Sequence, residues 1–306
     1  MATNLGNTLL IANPAAQNGN SAVAAARATE VLQSFLGEEH FSTVLTESAG
    51  QAIDLAAHAA PFDTVLALGG DGVVHEVANG LLTIPSEQRP VLGVIPVGSG
   101  NDYARTLGIS NSLDRAVCQV LNSQERMMDV GRCNGEYFVE TLSFGLDAAI
   151  ALDTVERRKR SQRTGTLLYA TSGIDQLLHH LVEHRFEARL DGGESVEGSM
   201  FLFAVQIGPT YGSGFRICPD AQPDDGLLDL CVAQPPLAVP RAVYLFLMAK
   251  NGWHTRFKQV AFRRVSSLDV RFESCPAAQI DGEPLAGSHF LIEAVPQALR
   301  VLVPVR

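Results

Sequence analysis

Three glycines and a carboxylate, Gly69-Gly70-Asp71-Gly72, join the apolar run Val65 to Leu68 to an apolar pattern at helical spacing that ends at Leu82. Glycine lets backbone N–H groups approach a ligand with no Cβ in the way. A helix that starts just past the turn points its free N–H groups and positive dipole end at the same place. Both features favour a phosphate. A carboxylate beside a phosphate is repelled unless a Mg²⁺ ion or a ribose hydroxyl lies between them, so Asp71 marks a metal or a sugar. The alternative is a tight strand-to-helix turn with Asp71 as its N-cap.

A second turn of the same kind follows. The apolar run Val91 to Ile95 ends in Pro96-Val97-Gly98-Ser99-Gly100, and Asn101-Asp102 opens a helix. Ser99 offers a hydroxyl to phosphate oxygens, and Asp102 also suits an N-cap. Neither turn is the dinucleotide fingerprint Gly-x-Gly-x-x-Gly, and neither carries the Lys of a phosphate loop. Positive charge must come from elsewhere, most simply Mg²⁺ and backbone dipoles. Two acidic elements lie further on. Asp220, Asp224 and Asp225 crowd one loop, and Asp281-Gly282-Glu283 sits between Ile280 and Leu285. Acidic turns are commonly solvated, but a carboxylate held in a cleft can act as a general base.

The elements that must position these residues alternate in the first half. Strands are expected at Asn7–Pro14, Phe41–Ser48, Phe62–Gly70 and Pro90–Gly98. Helices are expected at Ser21–Leu36, Gly50–Ala60, Asp71–Leu82, Asn101–Leu107 and Leu113–Leu121. Strands separated by helices imply a parallel sheet covered on both faces, with both glycine turns on the carboxyl edge where such sheets bind ligands. Near residue 130 the pattern changes to short strand-like runs separated by Gly, Pro and Asp turns, which implies an antiparallel sandwich. Helices at Gly165–Val182 and Ala238–Lys250 interrupt it. The expected fold is therefore α/β, a doubly wound nucleotide-binding domain over 1–130 followed by a β-sandwich over 131–296.

The 306 residues are 46% hydrophobic and 18% charged, enough for buried cores. A net charge of −10 argues against nucleic acid as the main partner. Five cysteines without Cys-x-x-Cys spacing disfavour a disulfide framework or a zinc site and fit small buried residues in a reducing, cytoplasmic setting. No signal peptide or membrane-length apolar run is evident. His180 and His184 are four apart but lack His-Glu-x-x-His, and read as a polar helix face. The single tryptophan, Trp253, is expected in the core, with an interfacial anchor as the alternative. Glu156 to Gly165 carries Arg157, Arg158, Lys159, Arg160 and Arg163 against one acid, a local charge of +4. It reads either as a solvated helix end or as a contact for anionic lipid headgroups.

"GGDGVVHEVANGLL", "IPVGSGNDYAR", "PDAQPDDGLLDL" and "DGEPL", in that order, resemble the diacylglycerol kinase catalytic family, and more narrowly its soluble bacterial lipid kinases, relatives of sphingosine kinase. The resemblance runs from Asn13-Pro14 to the last strand. It implies an ATP-binding α/β domain, a lipid-substrate β-sandwich, an active site in the cleft between them, and a last strand, 297–306, returning to the first domain. It implies ATP contacts at Asn13, Thr46, Gly69, Gly70, Asp71, Gly72, Val73 and His75, and at Gly98, Ser99, Asn101 and Asp102. It places the catalytic base at Glu283 with Asp281 beside it, and Asp71 near a catalytic Mg²⁺. A structural Mg²⁺ is implied on Asp225 with the backbone oxygens of Gln222 and Leu227. Val73 stands where the family usually has Thr, and His75 where bacterial members have Asn; both look like sphingosine kinases. The implied reaction moves the γ-phosphoryl group of ATP to the hydroxyl of a membrane lipid, diacylglycerol above all, by a cytoplasmic, transiently membrane-bound enzyme whose relatives suggest a dimer. A sphingoid-base kinase, an NAD kinase-like enzyme and a catalytically idle lipid-binding protein are the alternatives.

Overall fold

The computed structural model describes residues 5–14, 20–161 and 166–305, the side chains of 20, 158–161 and 166 excepted. The chain divides into two compact units, 1–128 with 297–306, and 129–296.

The first unit alternates strictly. β1 (Thr8–Ala12) leads to α1 (Asn20–Leu36), β2 (Phe41–Leu45) to α2 (Gln51–Ala57), and β3 (Thr64–Gly69) to α3 (Asp71–Leu82). β4 (Val91–Pro96) is followed by the short α4 (Asp102–Thr106) and by α5 (Leu113–Leu121). The strands run parallel in the order β2-β1-β3-β4. β1, β3 and β4 are buried throughout, as continuous apolar runs in a doubly covered sheet must be. Right-handed crossovers put α1 on one face and α2 with α3 on the other. Accordingly α1 packs with α5, and α2 with α3. Gly80 permits the second contact, because a Cβ there would lie 2.3 Å from the Ile53 carbonyl oxygen.

The second unit is a β-sandwich with a helical layer. β5 (Ser123–Cys133) enters it and pairs with β6 (Glu136–Phe138), and β7 (Thr141–Gly145) follows. α6 (Leu146–Ser161) and α7 (Thr166–His179) precede β8 (His184–Leu190), β9 (Ser195–Met200), β10 (Leu202–Gln206) and β11 (Leu228–Ala233). α8 (Val239–Ala249), β12 (Val260–Val265), β13 (Ser267–Phe272), β14 (Ala278–Ile280), β15 (Glu283–Leu285) and β16 (His289–Pro304) complete the chain. One antiparallel sheet runs β12-β11-β10-β7-β14-β15. Its alternate residues serve two cores. Phe203, Val205, Leu230, Val232 and Phe144 face the inter-sheet core, which also holds Phe186, Phe272 and Phe290. Ala204 and Cys231 face the other way, toward Leu146, Ile150, Tyr169 and Ala242 of the helices.

β16 belongs to both units. Residues 289–293 pair antiparallel with β13, and Val301 pairs parallel with Leu92 of β4. "HFLIEAV" and "LRVLVPVR", two runs in the sequence, are thus one strand. Arg89 secures its end, its guanidinium donating to the carbonyls of Ile84, Leu81 and Ala298.

Several local expectations are corrected. α6 is a helix that the sequence pattern does not announce, since its basic second half hides the apolar periodicity of its first. α7 stops at His179 and His184 opens β8, so His180 and His184 share no helix face. Trp253 is 51% exposed rather than in the core. Cys118 and Cys275 are exposed, whereas Cys133, Cys218 and Cys231 are buried thiols.

Candidate active site

In the first unit the strand ends are laced together past the sheet. Thr46 N–H donates to the Ala12 carbonyl at 2.9 Å, Asn13 N–H to Leu68 at 3.3 Å, and Val97 N–H to Gly69 at 2.7 Å. Asn13, Thr46 and both glycine turns therefore gather at one carboxyl edge, where open parallel sheets bind ligands. The two turns touch. A Cβ on Gly98 would stand 2.4 Å from the Gly70 Cα, and one on Gly70 would stand 3.2 Å from the Gly98 Cα. Only glycine fits at 98, because backbone meets backbone, and a Cβ at 70 would be tight against the same contact.

Asp71 answers for the carboxylate. It opens α3 and reaches the second turn, where Tyr103 N–H approaches one carboxylate oxygen at 3.4 Å and the Asn101 and Asp102 amides also donate. Burial, and then the charge of Asp102, push Asp71 up to about 7. Asp102 is buried and paired with Arg105, whose guanidinium also donates to the Gly100 carbonyl at 3.0 Å. Asn101 adopts the left-handed conformation (φ 54°). Its side chain closes the turn, accepting from Gly98 N–H at 2.8 Å and donating to the Gly98 carbonyl at 3.0 Å and to Asn111 at 3.0 Å. Beside this turn is a cavity of about 300 Å³ lined by Gly98 to Asn101, Arg105 and Asn111. Arg105 brings a guanidinium to this cavity, with Asp102 as its counter-ion. Its signal is the Asp-x-x-Arg spacing within "NDYAR".

The Val73 side chain brings no hydroxyl to the turn, and the Val73 N–H donates to the Gly70 carbonyl at 3.1 Å. Val73 and His75 are both buried, Val73 packs over Gly69 so that a Cβ there would stand 2.7 Å from it, and His75 Nε2 lies 3.4 Å from Asn79 Nδ2.

In the second unit Asp281 and Gly282 both have positive φ, 46° and 95°, and form the two-residue turn between β14 and β15. The two carboxylates differ sharply. Asp281 is buried and accepts from the Val139, Glu140 and Thr141 amides at 2.8, 3.1 and 2.9 Å. Held by three backbone donors, this carboxylate anchors the hairpin to residues 139–141. Glu283, on the other side of the turn, is exposed.

The acidic loop carries its own counter-ion. Asp225 pairs with Arg264 through one oxygen and accepts Leu227 N–H at 3.1 Å through the other. Arg264 Nε lies 3.4 Å from Asp229. Burial, and then the charge of Asp220, push Asp229 up to about 6. Asp129 ties the loop down by accepting Gly226 N–H at 2.6 Å and donating its own N–H to the Pro223 carbonyl. Among the described residues no three His, Cys, Asp or Glu side chains converge as metal ligands. Asp225 with the carbonyls of Gln222 and Leu227 is a poor fit for a dication while Arg264 neutralises it.

Arg157 of the basic run is likewise committed. Arg157 pairs with Asp153 (Nε to Oδ2, 2.5 Å) and with Asp175. The side chains of Arg158, Lys159 and Arg160, and the whole of Arg163, lie outside the described residues. No described helix is long and apolar enough to cross a membrane.

Under the helical layer lies a narrow apolar cavity of about 60 Å³, lined by Leu146, Ile150, Tyr169, Phe215, Leu245 and Phe246. Asp147 borders it, 2% exposed, with one carboxylate oxygen lacking a partner. Burial pushes Asp147 up to about 8, against hydrogen bonds from Ser143 and Tyr169.

The chain is similar to known proteins. The family model "Diacylglycerol kinase catalytic domain" matches residues 7–133, and "YegS C-terminal NAD kinase beta sandwich-like domain" matches 140–303. The diacylglycerol kinase of Bacillus subtilis (strain 168) is 33% identical over 83% of each chain. A "Probable lipid kinase YegS-like" protein of Yersinia pestis is 30% identical over 79% of each. A diacylglycerol kinase structure from Bacillus anthracis str. Sterne superposes with a TM-score of 0.77 at 20% identity, over 98% of both chains. An NAD kinase from Archaeoglobus fulgidus in complex with ATP gives 0.56 at 13% identity, over 97% of this chain and 93% of that one, a likeness of fold alone. With abutting glycine turns, an Asp-Gly-Glu hairpin and both domain models matched in series, the chain belongs to the diacylglycerol kinase catalytic family, phosphotransferases with a hydroxyl acceptor.

Proposed function

We propose that the protein transfers the γ-phosphoryl group of ATP to the hydroxyl of a membrane lipid, diacylglycerol or a close analogue. The observation that carries this reading is the backbone-to-backbone contact of Gly70 and Gly98. It sets the two glycine turns side by side, backbone against backbone, with Asp71 reaching from one helix start to the other, a surface on which a polyphosphate can approach the main chain closely. The transition state of such a transfer is loose and anionic, so positioning and electrostatics dominate. The glycine turns and Ser99 bind and orient the phosphates, and the Arg105 guanidinium, paired with Asp102, lies beside them.

Asp71 suits a Mg²⁺ ion. Two neighbouring carboxylates, one pushed up to about 7, gain from a dication. When bound, the ion would neutralise phosphate charge, held by Asp71 together with the nucleotide. Glu283 takes the proton from the attacking lipid hydroxyl, a role worth ~10²–10⁴-fold. Asp281 holds the turn that presents it. The relatives named above as diacylglycerol or lipid kinases support the choice of acceptor.

The test is incubation of the purified protein with labelled ATP, Mg²⁺ and detergent-dispersed lipids, with products separated by thin-layer chromatography. Labelled phosphatidic acid is expected. Glu283→Gln lowers kcat by ~10²-fold or more and leaves ATP binding by calorimetry intact. Label on NAD, or full activity in Glu283→Gln, refutes the assignment.

A further inference from the structure

We propose that the outer face of α8 and the turn that follows it form the surface by which the protein docks on an anionic bilayer. The proposal rests on the lipid-kinase reading for its purpose, but its evidence lies in other residues.

α8 is apolar on both sides. Ala242, Leu245 and Ala249 face inward, close the helical layer and border the apolar cavity. Tyr244 and Leu247, three residues apart on the opposite side, are 45% and 46% exposed, and Trp253 in the next turn is 51% exposed. A helix without a polar face is ordinarily buried or in contact with lipid. Arg241 is exposed on the same side, its guanidinium carbon 4.5 Å from the Phe257 ring centroid and 5.6 Å from that of Tyr244. Tyr244 meets Phe257 edge-on at 5.8 Å. Arg256 and Lys258 continue the exposed surface. Aromatic rings, a leucine and cations interleaved on one short helix and turn are the composition of a membrane interface.

The charge distribution identifies the partner. In a chain of net charge −10, no Asp or Glu occurs from Leu230 to Leu268, while Arg241, Lys250, Arg256, Lys258, Arg263 and Arg264 fall within that stretch. Arg264 is engaged by Asp225, and Lys250 reaches the Ser213 carbonyl at 2.9 Å. Arg263 lies on β12, and Arg241, Arg256 and Lys258 are exposed cations on the same short stretch of α8 and following turn as Tyr244, Leu247 and Trp253. An acid-free stretch is what a negatively charged surface selects, since each carboxylate there would be repelled. This face differs from the Arg157 run, whose first guanidinium is held by Asp153 and Asp175.

Because Trp253 is the only tryptophan, the native protein reports on its own docking. Vesicles of phosphatidylcholine with phosphatidylglycerol are added, and tryptophan emission and flotation are followed together. The expected result is flotation that weakens with salt, a blue shift, and quenching by brominated phosphatidylcholine. The double variant Arg256→Ser/Lys258→Ser should bind these vesicles on the order of tenfold more weakly, with an unchanged near-ultraviolet circular dichroism spectrum. No flotation overturns the proposal. Flotation with unmoved, unquenched emission also overturns it, because the protein would then dock through another face. Kinase activity on detergent-dispersed lipid without vesicle binding removes this surface and leaves the function standing. Vesicle binding with tryptophan quenching but no activity upholds the surface and removes the function.

Discussion

Asp147 is a carboxyl group placed where its charged form is unwelcome, and replacing it has a consequence that depends on pH. Its side chain borders an apolar cavity, 2% exposed, and burial pushes it up to about 8, against about 3.9 for a free aspartate. Below about pH 4 it is protonated in the folded and the unfolded chain alike. Between the two values the folded state keeps a proton that the unfolded state has released. Stability therefore falls as pH rises, by up to about 1.4 kcal/mol per pH unit, and the whole deficit is present above about pH 8. An asparagine side chain cannot ionise, so Asp147→Asn removes the slope. Its added amide needs an acceptor where Asp147 leaves one oxygen without a partner, which sets a constant penalty of roughly 1–3 kcal/mol at every pH. The informative quantity is thus the change in the difference between variant and wild type. From pH 5 to pH 8 that difference should move in favour of Asp147→Asn by roughly 4 kcal/mol, on the order of 10 °C in melting temperature. Urea and thermal unfolding of both proteins across this range measure it, and the other carboxylates cancel in the comparison. A difference that stays flat with pH would mean that Asp147 is solvated or charge-paired in the folded protein.

Three further outcomes follow from the geometry. Gly98→Ala drives a Cβ to 2.4 Å from the Gly70 Cα, so the turns must part; binding of a non-hydrolysable ATP analogue, by calorimetry, should weaken by about tenfold or more while the fold survives. Asp281→Ala strands the Val139, Glu140 and Thr141 amides and should destabilise the protein by about 3 kcal/mol, whereas exposed Glu283→Gln should shift the melting temperature hardly at all; equal melting curves would contradict the division of roles. Arg89→Leu removes the donor to the Ile84, Leu81 and Ala298 carbonyls and should cost about 2–4 kcal/mol, with hydrogen exchange rising first in residues 297–304.

Local signals decided a good deal. α3 and α5 span the ranges expected from their apolar periodicity, and β1 to β4 lie within the runs that predicted them, because helix and strand periods are properties of neighbouring residues. The glycine turns were legible for the same reason: a strand that ends in glycines before a helix is a local pattern with a local cause. The contact between Gly70 and Gly98 was implied by the crossover rule, and its closeness was not. What escaped the sequence depends on residues far apart along the chain. Asp281 and Glu283 look interchangeable in "DGEPL", yet the amides that occupy Asp281 come from residues 139–141. Asp225 reads as a metal ligand until Arg264 is found beside it. Burial is likewise decided at long range, so Trp253, Cys118 and Cys275 defied their residue types. Residue type and spacing determined which chemistry the chain carries; only the tertiary fold determined which carboxylates are free to perform it, because a buried charge takes its character from whatever partners packing brings to it.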